Sequence, residues 1–309
     1  MRDLRTLGIQ VGLLRPRGEA VFPRVIRHPG LPARPRSVLF HFPDPARMHL
    51  GDHLFWEPAV RHLRGQGVAL AVHPSPAMRG YFEALGHPLA GDGDLDRFEV
   101  IATRYEFLFD PLLRGRPVLF FKQKQPPPGR PYCQLLTEQL CQVLGLAPPG
   151  PVPPPAPWPG LPEYHGLDPD RRYLLFNNAI DSGHFRLFPG DRRRLLAACA
   201  ERAQREGLTV LHVGSATDAR GDRTDYHFPR IDLRGLTSVA ELWALAADPR
   251  VVQTLSFDTF PAHLAMLLGK PATILQRRSW PRSEFQAVRT CFLPPFLPTA
   301  AAAPAQFLD

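Results

Sequence analysis

The stretch Val251–Gln276, VVQTLSFDTFPAHLAMLLGKPATILQ, decides the fold. Val251–Ser256 is a short apolar run with β-branched residues, the pattern of a buried strand. Phe260–Leu268 reads as a helix. Asp258 or Thr259 is placed to cap it, and Pro261 falls in the first turn, where a missing N–H costs nothing. Gly269 stops the helix, Pro271 follows the stop, and Ala272–Gln276 reads as a second strand. Strand, turn, helix and strand make one βαβ unit, which requires a parallel sheet and a right-handed crossover. The turn carries Asp258 and Thr259 and, one helical turn on, His263 on the same face. Polar residues at a helix N-terminus, beyond the carboxyl end of a strand, are where open α/β sheets bind phosphates. An ordinary capped helix with a surface histidine has the same local sequence.

Working back from this unit, the pattern repeats. Tyr173–Phe176 reads as a strand and runs into the polar loop NNAIDSGHFRLFPGD. Asp191 caps a helix that continues to Glu206, with Leu195, Leu196, Cys199 and Ala203 on one side and Gly207 at its end. Thr209–Val213 is a strand leading into GSATD, Ile231–Leu233 is a shorter one, and Ser238 caps a helix over Val239–Ala246. Upstream lies Ala147–Pro162, with nine prolines in sixteen residues. Such a segment is neither helix nor central strand, and reads as an extended, semi-rigid spacer between domains.

The half before the spacer alternates in the same way. Strands are expected at Ser37–Phe42, Val68–Val72, Glu99–Ala102 and Pro117–Lys122, and helices at Leu54–Arg64, Ala77–Leu85 and Arg130–Leu144. Alternating strands and helices argue a doubly wound α/β domain on each side. The expected organisation is an N-terminal extension (1–36), a first domain (37–146), the proline-rich linker (147–162), a second domain (163–282) and a tail (283–309). The extension contains a possible hairpin, Ile9–Leu14 with Ala20–Ile26, and is expected to lie on the first domain. The tail is expected to pack back on the first domain too.

The 309 residues suffice for two domains. The formal charge is +8, and nearly all of the 37 basic residues are arginine. A basic balance permits phosphorylated substrates, nucleic acid or an anionic membrane face without choosing among them. No dense basic run and no aromatic–basic interleaving supports nucleic acid. Four scattered cysteines (133, 141, 199 and 291), with no CxxC and no zinc spacing, favour a reducing compartment. No apolar run approaches a membrane span and MRDLRTLGIQ is no signal peptide. A cytoplasmic protein is expected, with room for peripheral contact with the inner membrane.

One family unites these fragments. Gly235, Thr237, Ser238, Glu241 and Leu242, followed by Asp258, Thr259, His263, Ala265, Gly269, Lys270 and Pro271, resemble the C-terminal signature of family 9 glycosyltransferases, the bacterial lipopolysaccharide heptosyltransferases. Gly51, Asp52, Leu54, Pro58, Ala59 and Leu63 resemble that family's N-terminal block, and RLFP at Arg186–Pro189 its K-x-W-P. Asp218 falls where the family places an acid for the nucleotide ribose. The resemblance runs from Ser37 to Gln276. It implies a GT-B fold of two Rossmann-like doubly wound parallel-sheet domains facing across a cleft. It also implies inverting, metal-independent transfer from a nucleotide-diphosphate sugar, usually ADP-heptose, to a hydroxyl acceptor, with no cofactor. The nucleotide is expected on the second domain and a glycan or similar acceptor on the first. This sequence departs from the family at Phe260, where the family has a glycine that lets the diphosphate approach the backbone.

Within that frame, Asp52 is assigned as the base for the acceptor hydroxyl, although its position also fits a helix-capping aspartate. Gly51 and His53 are placed beside the acceptor. Arg186 is the clamp for the leaving diphosphate, with Ser182 and His184 close to it. Gly214, Asp218, Asp258, Thr259, Phe260 and His263 complete the nucleotide-sugar site, with His263 and Asp258 ordering the turn. No metal ligands are assigned. The alternative, which Phe260 motivates, is a catalytically silent GT-B protein that binds a nucleotide or glycan.

Overall fold

In the computed structural model the described residues are 12–13, 24–27, 30, 32, 34–122, 132–161, 163–179, 189–220, 222, 224–275 and 306–308. The chain divides into two compact units, 1–156 and 157–309. The division falls inside the proline-rich segment.

The first unit is built on one six-stranded sheet. Its strands are β1 (Gly12–Leu13), β2 (Arg24–Arg27), β3 (Ser37–His41), β4 (Ala69–His73), β5 (Val100–Arg104) and β6 (Val118–Lys122). Its helices are α1 (Leu50–Gly65), α2 (Arg79–Ala84) and α3 (Tyr132–Val143). The strand order is β1-β2-β6-β5-β3-β4. β3, β4, β5 and β6 are mutually parallel; β2 adds antiparallel beside β6, and β1 pairs antiparallel with β2 at the edge. The four parallel strands thus run second, first, third, fourth, a doubly wound order whose direction reverses between β3 and β5. Buried on both faces, they read as near-continuous apolar runs, which is why the sequence pattern finds them. Trp56 of α1 holds the core together, its ring 4.7 Å from that of Phe42 and 5.3 Å from that of Phe121. α1 starts four residues before the expected Leu54. The expected start placed Pro58 early in the helix, whereas the structure carries the helix through it.

The described residues of the proline-rich segment have no helix or strand, and its first part is strapped to this unit. The buried Glu57 of α1 accepts from the Ala156 N–H at 3.0 Å and from Arg61 at 3.0 and 3.1 Å. Arg61 also donates to the Pro154 carbonyl at 2.5 Å, Gln134 of α3 accepts from the Val152 N–H at 2.6 Å, and Tyr81 donates to the Ala156 carbonyl at 2.7 Å. Proline leaves carbonyls without partnering N–H groups, so side chains must satisfy them.

The second unit carries β7 (Tyr173–Asn177), α4 (Pro189–Glu206), β8 (Thr209–His212), α5 (Ala216–Ala219), β9 (Arg230–Asp232), α6 (Val239–Ala247), β10 (Val251–Ser256), α7 (Phe260–Leu267), β11 (Ala272–Leu275) and β12 (Gln306–Leu308). Its sheet order is β12-β11-β10-β7-β8-β9, all parallel. Counted from β7, the strands run sixth, fifth, fourth, first, second, third, the Rossmann order, and the reversal lies between β7 and β10. Leu195, Cys199 and Ala203 of α4 pack on Leu174, Phe176, Val210 and Leu255. The stretch 251–275 forms the expected β10–α7–β11 unit. Thr259 is the N-cap of α7, Gly269 ends it with φ +68°, and the Lys270 N–H closes on the Ala265 carbonyl at 2.8 Å. Tail residues 306–308 add to the free edge of β11, whose backbone groups would otherwise lack partners. The two units share the GT-B plan of paired Rossmann-like domains.

Candidate functional site

In the first unit, the residues that matter stand where β3 and β5 end. Asp52 is the third residue of α1, which follows β3. Its Oδ2 accepts from the His49 N–H at 3.3 Å and is ion-paired with Nη1 of Arg104, the last residue of β5. Asp52 therefore caps its helix and also faces the point where the strand order reverses. Both contacts fall on Oδ2, so Oδ1 has no partner among the described residues. The side chain keeps 14% of its surface. Arg104 is buried, and its Nε donates to Glu106 at 3.1 Å. Burial opposes its charge, but Asp52 and Glu106 outweigh burial and raise its pKa. Arg104 was not anticipated; its signal is a single charge closing the apolar strand VIATR.

His53, placed beside the acceptor by the sequence, lies in the interior. It is fully buried; its Nε2 accepts from the Ser75 N–H at 3.3 Å, so Nδ1 carries the proton and donates to the His49 carbonyl at 3.0 Å. Burial lowers its pKa to about 4. Both nitrogens are engaged, so His53 ties α1 to the segment after β4. Gly51 is buried in the first turn of the same helix. At the neighbouring strand ends, His41 and His73 stand in register with ring centroids 5.0 Å apart. Burial and then the neighbouring His73 lower the pKa of His41 to about 4.

In the second unit, the turn between β10 and α7 lies beside the reversal point of the Rossmann order. Thr259 caps α7 through its backbone position, while its hydroxyl donates to Ser256 Oγ at 3.2 Å and the Phe257 carbonyl at 3.3 Å. The N–H groups of Asp258, Thr259 and Phe260 donate to no acceptor among the described residues. Three successive open donors at the start of a helix make a site for an oxyanion. Asp258 and His263 face each other, Oδ1 to Nε2 at 3.2 Å, and the partly exposed Asp258 is thereby held across the turn. Phe260 does not stand over the turn. Its side chain is 8% exposed and packs edge-on against Trp243, with centroids 6.3 Å apart. Lys270, part of the family signature, is bound at the opposite end of β10, donating to the carbonyls of Asp248 and of Val251. Burial lowers its pKa to about 8.

Asp218 sits in α5, where its Oδ2 accepts from the Ser215 N–H at 2.6 Å and the Ser215 hydroxyl accepts from the Asp218 N–H at 3.2 Å. It is a capping residue and keeps a second oxygen. Behind it lies a charged network that the sequence reading missed. Arg234, nearly buried, binds Asp232 with Nε at 2.9 Å and Nη2 at 2.7 Å, and donates from Nη1 to Asp222 at 2.5 Å and the Asp218 carbonyl at 3.1 Å. Arg234's hydrogen bonds hold Asp232 well below the usual carboxylate range. Tyr226 donates to Asp222 at 2.6 Å and accepts from Asn178 at 2.8 Å; Asn178 in turn meets the buried His212 at 2.9 Å. The network joins the ends of β7, β8 and β9 and fixes the loop that carries Asp218. Gly214 completes it, since a Cβ there would stand 2.8 Å from Asp218 Oδ2.

Ser182, His184 and Arg186 lie outside the described residues. Among the described residues, no group of three or more His, Cys, Asp or Glu side chains is arranged to hold a metal ion, and no helix is long and apolar enough to cross a membrane.

No family model matches this sequence, and no curated protein matches it. Solved structures do match it. A family 9 glycosyltransferase from Veillonella parvula is similar over 88% of this chain and 87% of its own, at 15% identity and a TM-score of 0.52. The ADP-heptose lipopolysaccharide heptosyltransferase II of Escherichia coli is similar over 88% and 90%, at 16% identity and a TM-score of 0.55. At these identities the likeness is one of fold. It is the GT-B fold that the family 9 resemblance implied.

Proposed function

We propose that the protein is an inverting, metal-independent glycosyltransferase. It moves a sugar, heptose or a relative, from a nucleotide-diphosphate donor to a hydroxyl acceptor. The observation that carries this reading is Asp52: a carboxylate at the reversal point of a doubly wound sheet, one oxygen pinned and the other without a partner among the described residues. Asp52 Oδ1 takes the proton of the acceptor hydroxyl as that oxygen attacks the anomeric carbon. The bond from that carbon to the diphosphate breaks on the opposite side, and the electron pair leaves with the diphosphate. A single displacement of this kind inverts the anomeric centre. The diphosphate's growing charge is met by the open N–H groups of residues 258–260 and by the proposed clamp Arg186. The Asp218 carboxylate is assigned to the ribose hydroxyls. An ADP-linked donor is favoured by the name of the E. coli enzyme of similar fold. We assign the reaction to the cytoplasm, in keeping with the scattered cysteines, and to lipopolysaccharide assembly.

The silent-binder alternative loses its motive, since the Phe260 ring turns inward rather than across the turn. The test has two arms. A thermal-shift panel of ADP, UDP, GDP, CDP and their sugars should raise the melting temperature with the adenine nucleotide most effective. Nucleoside diphosphate release from the active donor should then fall roughly 10²–10⁴-fold in Asp52→Asn, with donor affinity nearly unchanged. Equal turnover in wild type and Asp52→Asn removes Asp52 from the mechanism. Tight nucleotide binding without turnover in the wild type restores the silent-binder reading.

A further inference from the structure

We infer that Arg104 is the positioning residue of Asp52, pinning Oδ2 so that Oδ1 is presented to the acceptor hydroxyl. The inference rests on the reading of Asp52 as the base. Arg104 ends β5, and Asp52 opens the helix after β3, so the pair bridges the two strands between which the sheet order reverses. In an open α/β sheet that crevice is where ligands bind.

The guanidinium is held on three sides. Nε donates to Glu106 at 3.1 Å, Nη1 is ion-paired with Asp52 Oδ2, and Nη1 also lies 3.7 Å from the sulfur of Met48. The side chains of Arg104 and Asp52 are only 10% and 14% exposed. A pair so deep is a poor device for stability alone, because desolvating both charges offsets most of their attraction and an apolar pair would serve as well. It is a good device for direction. A carboxylate free to turn about its last torsion offers an incoming proton no fixed acceptor. With Oδ2 tied to Arg104 and to the His49 N–H, the other oxygen points one way. Among the described residues, the charged and titratable groups around the pair are His49 at the cap, Glu106 and Tyr132 beside Arg104, and His53, whose two nitrogens are bound elsewhere.

The sequence supplies no partner motif for this arginine. The fold brings residues 52 and 104 together from separate βα units, and the family resemblance drew no residue from this strand.

The experiment measures kcat and KM for nucleoside diphosphate release, using the donor identified by the nucleotide panel and a hydroxyl acceptor. The proteins are wild type, Arg104→Gln, Arg104→Lys, Glu106→Gln, Asp52→Asn and Arg104→Gln/Asp52→Asn. Arg104→Gln should lower kcat by roughly 10–100-fold, the scale of a misplaced reacting group, with donor KM within about twofold. Arg104→Lys keeps a cation without the planar fork and should recover part of the loss. Glu106, whose side chain bonds only Arg104 among the described residues, is a milder probe: Glu106→Gln should lower kcat less and leave KM alone. The double variant should be no slower than Asp52→Asn, because the two residues act as one unit. If Arg104→Gln does not fold, Arg104→Lys and Glu106→Gln carry the same prediction of a kcat loss at constant KM. Wild-type kcat in the Arg104 and Glu106 variants, beside an inactive Asp52→Asn, overturns this inference and spares the base. Losses that add fully in the double variant overturn it too. An active Asp52→Asn, or a wild type that turns over no donor, brings down the parent reading and this inference with it.

Discussion

At the scale of single residues, several polar side chains do two jobs at once. Asp52 accepts the His49 N–H and also faces Arg104; Asp218 accepts the Ser215 N–H and keeps a second oxygen. Capping and catalysis are compatible because a carboxylate has four lone-pair sites and a cap uses one. Phe260 is the opposite case, a residue whose sequence position suggests interference and whose side chain supplies packing. It lies against Trp243 in the interior. Phe260→Ala should therefore cost about 3–5 kcal/mol in denaturant unfolding, the usual price of emptying an aromatic core site. Nucleotide affinity, measured by calorimetry, should not improve in that variant. A gain in affinity at unchanged stability would show that the ring obstructs the donor.

At the scale of elements, the helices and strands of the two sheets' cores recur in the structure with shifted ends, while α5 and β12 were not read from the sequence. β10 and its partner strands were legible because buried parallel strands are apolar throughout. α1 was begun too late because its first turn, Leu50–His53, mixes polar and apolar residues and places Pro58 in the interior. The close approach of the α5 loop to the turn at Arg234–Ser238 was not legible at all. Gly235 has φ +71°, and a Cβ there would stand 2.7 Å from Ala216 Cα and 2.7 Å from Ala216 Cβ. Gly207 has φ +63° with nothing within 4 Å. Gly207→Ala should thus cost only the left-handed backbone term, about 1–2 kcal/mol. Gly235→Ala adds overpacking of about 1–3 kcal/mol and should loosen the loop that carries Asp218. Unfolding curves of the two variants, with hydrogen exchange over residues 214–220, compare them directly. Equal losses in both would mean that the Ala216 contact yields without strain.

At the scale of the whole molecule, buried neutral histidines set the acid limit of stability. Burial lowers the pKa of His41 to about 4, of His53 to about 4 and of His212 to about 3. In the unfolded chain each titrates near 6.5. As pH falls below about 6.5 the unfolded state takes up protons that the folded state refuses, so stability is full above that value and declines toward pH 4. The stability lost through fully buried His53 reaches about 3 kcal/mol at the acid end of its window. Melting temperature should fall steadily from pH 6.5 to 4, and His53→Gln should shallow the slope. A melting temperature flat across that interval would mean that these histidines charge without unfolding.

What the sequence determined alone was local and periodic. The β10–α7–β11 unit, the caps at Ser238 and Thr259, the stop at Gly269 and the alternation that makes two doubly wound units all follow from short-range rules of burial and capping. The ordered blocks around Gly51–Asp52 and Asp258–His263 pointed to the same fold that the solved structures share. Only the tertiary structure decided which strands are neighbours, and with that which distant side chains meet. Arg104 reaches Asp52 across 52 residues, and His53 is drawn into the interior, where it accepts from the Ser75 N–H across 22. Arg234 gathers Asp222 and Asp232 behind Asp218. The reason is physical. A side chain's periodicity encodes which face is buried, but a buried charge is tolerated only beside its partner, and the partner is supplied by whichever strand the topology sets next to it.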